Sequence, residues 1–139
     1  MRKVFVAAFV IVGLVLTMAG CATTGGKSAE KSIQSTLANW KAAVEKKDVD
    51  GILVFYSDKF SSDRGDGKAG LKEFLDNAKQ QGYLDGAKID LSKTTIKIEK
   101  DKATATPIGL SGSRGSMTLE MGLQQEAGKV WRIIKTDTF

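Results

Sequence analysis

Asp58, Asp63 and Asp66 are the carboxylates of this chain whose types and spacing come closest to chemistry. A carboxylate beside a second polar group can move a proton, and several together can hold a divalent cation. A calcium loop needs oxygen ligands at alternate positions, and here Gly65 and Gly67 occupy those positions. The expectation is a turn aspartate at 63, a helix cap at 66 and no metal. Gly109-Leu110-Ser111-Gly112-Ser113-Arg114-Gly115 is glycine-rich but lacks the Gly-Lys-Ser/Thr ending of a phosphate cradle, which predicts a flexible hairpin instead. The 139 residues contain no histidine and one cysteine, Cys21. These two facts exclude Ser-His-Asp and Cys-His nucleophiles, a histidine base, a zinc site built on His or Cys, and any intramolecular disulfide. No cofactor is expected.

The elements that would position such groups follow from hydrophobic periodicity. Ile33, Leu37, Trp40 and Val44 fall at i, i+4, i+7 and i+11, which predicts a helix from Ser28 with Lys46 and Lys47 in its last turn. Asp48 is expected to cap a shorter helix carrying Val49, Ile52, Leu53, Phe55 and Tyr56. Phe60 then begins a short extended segment. Leu71, Phe74, Leu75 and Ala78 mark a third helix, capped by Asp66 and ended by Gly82.

After Gly86 the period becomes two. Ile89 and Leu91 alternate, then Ile96 and Ile98 alternate on the opposite parity, which predicts one long strand broken by a bulge near 92–95. The next strand runs from about Lys102 to Ser111, with Pro107 at an edge or a bulge. Met117, Leu119, Met121 and Leu123 alternate with polar residues in the clearest strand of the chain. Val130 to Ile134 is apolar at nearly every position, which predicts a central strand covered on both faces. Helices first and antiparallel strands after make an α+β pattern.

The N-terminus carries an address. Arg2 and Lys3 precede an apolar run from Val4 to Leu16, and Val4 to Ala19 is shorter than the roughly 18–20 residues that cross a bilayer. Met18-Ala19-Gly20-Cys21 resembles the lipobox of bacterial lipoproteins, with Met in place of the usual aliphatic residue. The resemblance implies a signal peptide over 1–20, palmitate-type acylation of Cys21 and anchoring of the protein in a bilayer. Residues 21–28 then form the lipidated cysteine and a flexible tether, and 29–139 a single domain. In Gram-negative lipoproteins, Ala22 after the cysteine directs the protein to the periplasmic face of the outer membrane. Without Arg2 and Lys3, 19 basic residues face 16 acidic ones, a net charge of +3. No basic cluster interleaves with aromatics, so nucleic-acid binding is not expected.

The order of elements resembles the nuclear-transport-factor-2-like superfamily (SnoaL-like, cystatin-like), in which a curved sheet wraps a long helix into a cone. The stretches that carry the resemblance are 37–44, 47–53, 55–58, 70–75 and 129–134, and it covers residues 30 to 139. The implied fold is α+β, with N-terminal helices packed on a curved antiparallel sheet. In such a cone, Trp40, Tyr56, Met117, Leu119, Met121 and Trp131 line the concave face, either as an adaptable ligand-binding wall or as filled core. Ketosteroid isomerases of the superfamily use an aspartate base and an oxyanion hole that includes a tyrosine on the first helix. Here Trp40 stands at that tyrosine's position, Asp63 near the base's, and Met117, Leu119 and Met121 where a second acid would come from. The catalytic set is largely missing.

The leading expectation is a membrane-anchored cell-envelope lipoprotein that binds a small apolar ligand or an envelope protein without catalysis. The alternatives are an isomerase or dehydratase using Asp63 as acid and base, or a dimeric structural protein. In the last case Lys97, Glu99, Thr118 and Glu120 make the outer sheet face polar and the homodimer modest.

Overall fold

A computed structural model describes residues 21–139. The expected signal peptide over 1–20 lies outside them. Helix α1 spans Cys21–Glu45, α2 Val49–Leu53 and α3 Lys68–Gln80. The strands are β1 Tyr56–Ser62, β2 Lys88–Asp90, β3 Thr95–Glu99, β4 Lys102–Gly112, β5 Gly115–Glu126 and β6 Val130–Thr138.

The stripe expected on α1 forms its buried face: Ile33, Leu37, Trp40 and Val44 are all at most 5% exposed. Helix is already present at Cys21, the first described residue, so Ser28 lies inside it rather than capping it, and helix runs through 21–28, where a tether is expected. At the other end Lys46 and Lys47 fall just beyond Glu45. The Lys47 N–H donates to Val44 O (2.9 Å) and the Asp48 N–H to Ala43 O (3.0 Å), with Lys47 at φ 56°. This is the paired-bond cap that usually places glycine in the left-handed position, here adopted by lysine. Helix α3 ends the same way, with Gly82 in that position as expected.

Asp48 caps α2 as expected, its carboxylate accepting the Gly51 N–H at 3.0 Å. Tyr56 does not continue that helix. The Phe55 carbonyl accepts the Ile133 N–H at 2.8 Å, and Tyr56 pairs with Ile133, so β6 captures the segment into the sheet. A one-turn helix has no cooperativity with which to resist this. Asp66 does not cap α3: the N-cap is Gly67, without a side-chain bond, and Asp66 closes a turn on Ser62 instead.

The sheet order is β1-β6-β5-β4-β2, with β3 also on β4. Only the β1–β6 pair is parallel. The phase change between Ile89 and Ile96 is real: β2 and β3 lie along the same edge of β4, separated by the break at 91–94. Opposite that break, Thr106 and Pro107 form a bulge in β4, one of three irregularities that bend the sheet. The inner face presents Ile108, Leu119, Met121, Leu123 and Ile133 to α1.

Strand β6 lies between β1 and β5 but is not covered on both faces. Trp131 and Ile133 are buried, whereas Val130 is 40% exposed. The helices have a single apolar face to offer, and among the described residues none packs on the outer side of the sheet. The 112–115 hairpin is tied down rather than free. Ser113 bonds to Asp85 O and Gly82 O, Arg114 donates to Gln81 O, and the Arg114 guanidinium stacks 4.8 Å from the Tyr83 ring centre. A side chain at Gly112 would come within 3.3 Å of Tyr83 O, so glycine permits this close approach.

Candidate functional site

Among the described residues, the interior between α1 and the inner sheet face is built of apolar side chains, and polar atoms come together in it at Tyr56. Tyr56, first residue of β1, is buried and meets Phe60 edge-on, with ring centres 4.9 Å apart. Its hydroxyl lies beside the Trp40 indole of α1 and the Thr136 hydroxyl of β6. Thr136 is directly across from Met121, and Thr138 from Leu119, so these two β5 side chains flank the same spot. Burial pushes the Tyr56 phenol up to about 12, against the weaker opposing pull of Trp40 and Thr136.

Three buried polar atoms have no hydrogen-bond partner among the described residues: Trp40 Nε1, Trp131 Nε1 and Thr136 Oγ1. Trp40 and Thr136 thus lie close to Tyr56 without completing bonds of good geometry. A buried donor left unpaired costs about 1–3 kcal/mol, and such groups are few in native proteins. Two of them, Trp40 Nε1 and Thr136 Oγ1, lie together at one polar spot beside Tyr56.

Of the six residues expected to line the concave face, Trp40, Tyr56, Leu119 and Met121 meet around Thr136. Trp131 is buried farther along β6, opposite Gln125. Met117, 51% exposed and opposite Leu110, stands at the rim. Thr136 faces this spot although the alternation of β6 does not predict it. Counting alternately from Trp131 and Ile133 turns Lys135 inward, but the irregularity opposite Gly122 and Leu123 adds a residue and turns Thr136 inward instead.

Asp63 sits in the exposed turn after β1. Its charge is felt by Lys135, whose ammonium is held above its ordinary range chiefly by Asp137, 2.7 Å away. Asp63 is thus exposed, at the opposite end of β1 from Tyr56. Among the described residues, no three His, Cys, Asp or Glu side chains cluster as metal ligands. No helix of the described residues is long and apolar enough to cross a membrane.

The surface of the described residues includes two shallow depressions of note. One of about 240 Å³ is lined by Gln34, Leu37, Leu91, Thr94 and Ile96, between α1 and the β2–β3 edge. Leu37 lies one turn from Trp40 on the same face of α1. The other, of about 270 Å³, lies on the β3–β4 hairpin beside Lys97, Glu99 and Lys102.

The Tyr56 phenol gives an alkaline signature. In the unfolded chain it ionises near 10, in the folded protein near 12, so between these values only the folded state keeps its proton. Stability should therefore fall by roughly 2–3 kcal/mol as pH rises through this window. In denaturant titrations across the window, Tyr56→Phe should lose that part of the decline. An identical decline in both proteins would contradict the burial of the hydroxyl.

No family model matches the chain, and no curated protein matches it. Solved structures do. Bd1075 of Bdellovibrio bacteriovorus is similar over 78% of this chain at 16% identity and TM-score 0.66, this chain spanning 40% of its length. An NTF2-like protein of unknown function from Pseudomonas putida is 21% identical over 81% of this chain and 86% of its own, TM-score 0.64. An NTF2-like protein with a cystatin-like fold from Novosphingobium aromaticivorans is 14% identical over 91% and 90%, TM-score 0.65. At these identities the likeness establishes architecture and not activity. The chain has the nuclear-transport-factor-2-like, cystatin-like fold: a curved six-stranded sheet closed over its long first helix.

Proposed function

We propose that this protein is a cell-envelope lipoprotein, anchored through acylated Cys21, whose cone binds a small apolar ligand bearing one hydrogen-bond acceptor, without catalysis. The observation that carries the ligand reading is the pair of unpartnered buried groups, Trp40 Nε1 and Thr136 Oγ1, flanking the Tyr56 hydroxyl inside an apolar wall. An ester or ketone oxygen placed there accepts from the indole and the threonine hydroxyl, while Leu119 and Met121 contact the apolar body. The groove beside Leu37 is the entry. The anchor rests on the lipobox-like Met18-Ala19-Gly20-Cys21 and on the absence of cysteine elsewhere.

Trp40 and Trp131 are the only tryptophans of the chain. In a Trp131→Phe variant, emission reports Trp40 alone, and titration with a medium-chain acyl ester should shift it saturably. An unchanged spectrum at ester saturation contradicts the site. For the anchor, Cys21→Ser should abolish acylation and signal removal. A Cys21→Ser protein that is still processed and still needs detergent for extraction contradicts it.

A further inference from the structure

Contacts along α1 fix which end of the cone carries Cys21. Near its C-terminus the Glu45 carboxylate accepts the Ile89 N–H at 3.1 Å, and the Asp90 carboxyl, lowered chiefly by its bonds from Ser92, also feels the charge of Lys41. Farther back, Gln34 and Leu37 share a groove with Leu91, Thr94 and Ile96. The helix thus runs backwards along β2 and then β3, and its start points to the end of the sheet where β3 turns into β4. The β5–β6 turn lies at that same end, since the Gln125 N–H donates to Asp101 O at 2.7 Å.

That end collects charge. Lys27 and Lys31 of α1, Lys97, Lys100 and Lys102 of the β3–β4 hairpin, Lys129 of the β5–β6 turn and Arg132 near the start of β6 make seven basic residues. Glu30, Glu99, Asp101 and Glu126 make four acidic ones. Two of these are engaged: Glu99 pairs with Lys97, and Glu126 accepts from the buried Ser57 hydroxyl. The remaining residues of 22–139 carry 12 basic and 12 acidic groups and cancel. The net charge of +3 therefore resides at the end where the chain would leave its anchor. Lys100 and Lys129 project from its two turns, both in the left-handed conformation at φ 58° and 59°, and both are exposed. Beside Lys129, Val130 adds an apolar contact that is 40% exposed.

We infer that this end of the cone, bounded by Lys27, Lys31, Lys100 and Lys129, is a docking face for the anionic headgroups of the membrane that holds the protein. The inference rests on the lipoprotein reading for its orientation. Lysines near a negatively charged leaflet are attracted over about a Debye length, and a tethered domain is held within that range. The contact turns the α1–β3 end toward the bilayer and leaves the opposite end, with Lys46, Lys79 and Lys88, facing away.

The test uses residues 22–139, which contain every core residue from Ile33 to Ile133 and lack the lipid. Co-sedimentation with vesicles of phosphatidylglycerol and phosphatidylcholine should exceed that with phosphatidylcholine alone by about tenfold at low salt, and fall as salt rises. Lys31→Glu, Lys100→Glu and Lys129→Glu together should remove the excess. Lys46→Glu, Lys79→Glu and Lys88→Glu, the same charge change at the opposite end, should keep most of it. Equal losses in the two triple variants, or no preference for the anionic vesicles, overturn the docking face. Failure of the anchor reading would show separately, as absence of the acyl mass on Cys21 in the full chain.

Discussion

A Leu119→Trp variant should remain folded and lose its ligand. Leu119 is 5% exposed and stands on β5 across from Thr138, next to the Met121–Thr136 pair. An indole at this position projects into the space where an apolar body would lie against Thr136. If a bound molecule ordinarily shares that space, the larger side chain replaces it, and the cost is at the low end of the roughly 1–3 kcal/mol of overpacking. Binding, by contrast, should be abolished, because the indole would occupy the place of the apolar body beside Met121 and Thr136. A tightly filled core behaves oppositely: the variant would unfold or lose several kcal/mol. Denaturant melts and ester titration of the same variant separate the two outcomes. A folded variant that binds like the parent contradicts the site.

Ile133→Ala should lower stability by about 2–5 kcal/mol. Ile133 is fully buried on β6, pairs with Tyr56 on one side and Leu123 on the other, and its N–H bonds to Phe55 O. The backbone contacts survive the substitution, so the loss reports packing between the parallel and antiparallel parts of the sheet. The spread in the expected value reflects how far neighbours relax into the void. Urea denaturation monitored by circular dichroism reads it as a lowered midpoint at unchanged slope. A loss below 1 kcal/mol would mean that β6 does not join β1 to the rest of the core.

Most of the fold was legible because the apolar periods are strong where single faces are buried. The α1 stripe, the Asp48 cap, the glycine ending of α3 and the phase change between Ile89 and Ile96 each rest on local rules that tertiary structure did not override. The misreadings trace to partners outside the local pattern, two of them distant in sequence and one, Ser62, four residues away. Tyr56 leaves the expected helix because β6, more than seventy residues later, pairs with it. Asp66 loses its capping role to a turn closed by Ser62. The hairpin at 112–115 is composed like a free turn and becomes fixed only through carbonyls of the loop after α3.

The candidate site divides the same way. Trp40, Tyr56, Leu119 and Met121 are visible as large apolar residues on faces with a clear period. Thr136 is not, since a single extra residue in β6 inverts which side chains point inward. The sole signal at that position is a threonine following Lys135 in a segment otherwise alternating toward the end of the chain, and nothing local distinguishes it from a surface strand residue. Asp63 shows the converse. Its spacing from Tyr56 suits an acid in the resembling isomerases, yet the turn after β1 carries it to the surface beside Lys135.

Native mass spectrometry of residues 22–139, exported in the host and purified without detergent, tests the ligand site most directly. The expected spectrum contains the chain with an added mass that leaves on denaturation, and that mass is missing from folded Leu119→Trp. A bare chain in the parent spectrum, with Leu119→Trp unfolded or strongly destabilised, would instead mean that Trp40, Tyr56 and Thr136 belong to a closed core and that the protein acts through its surface.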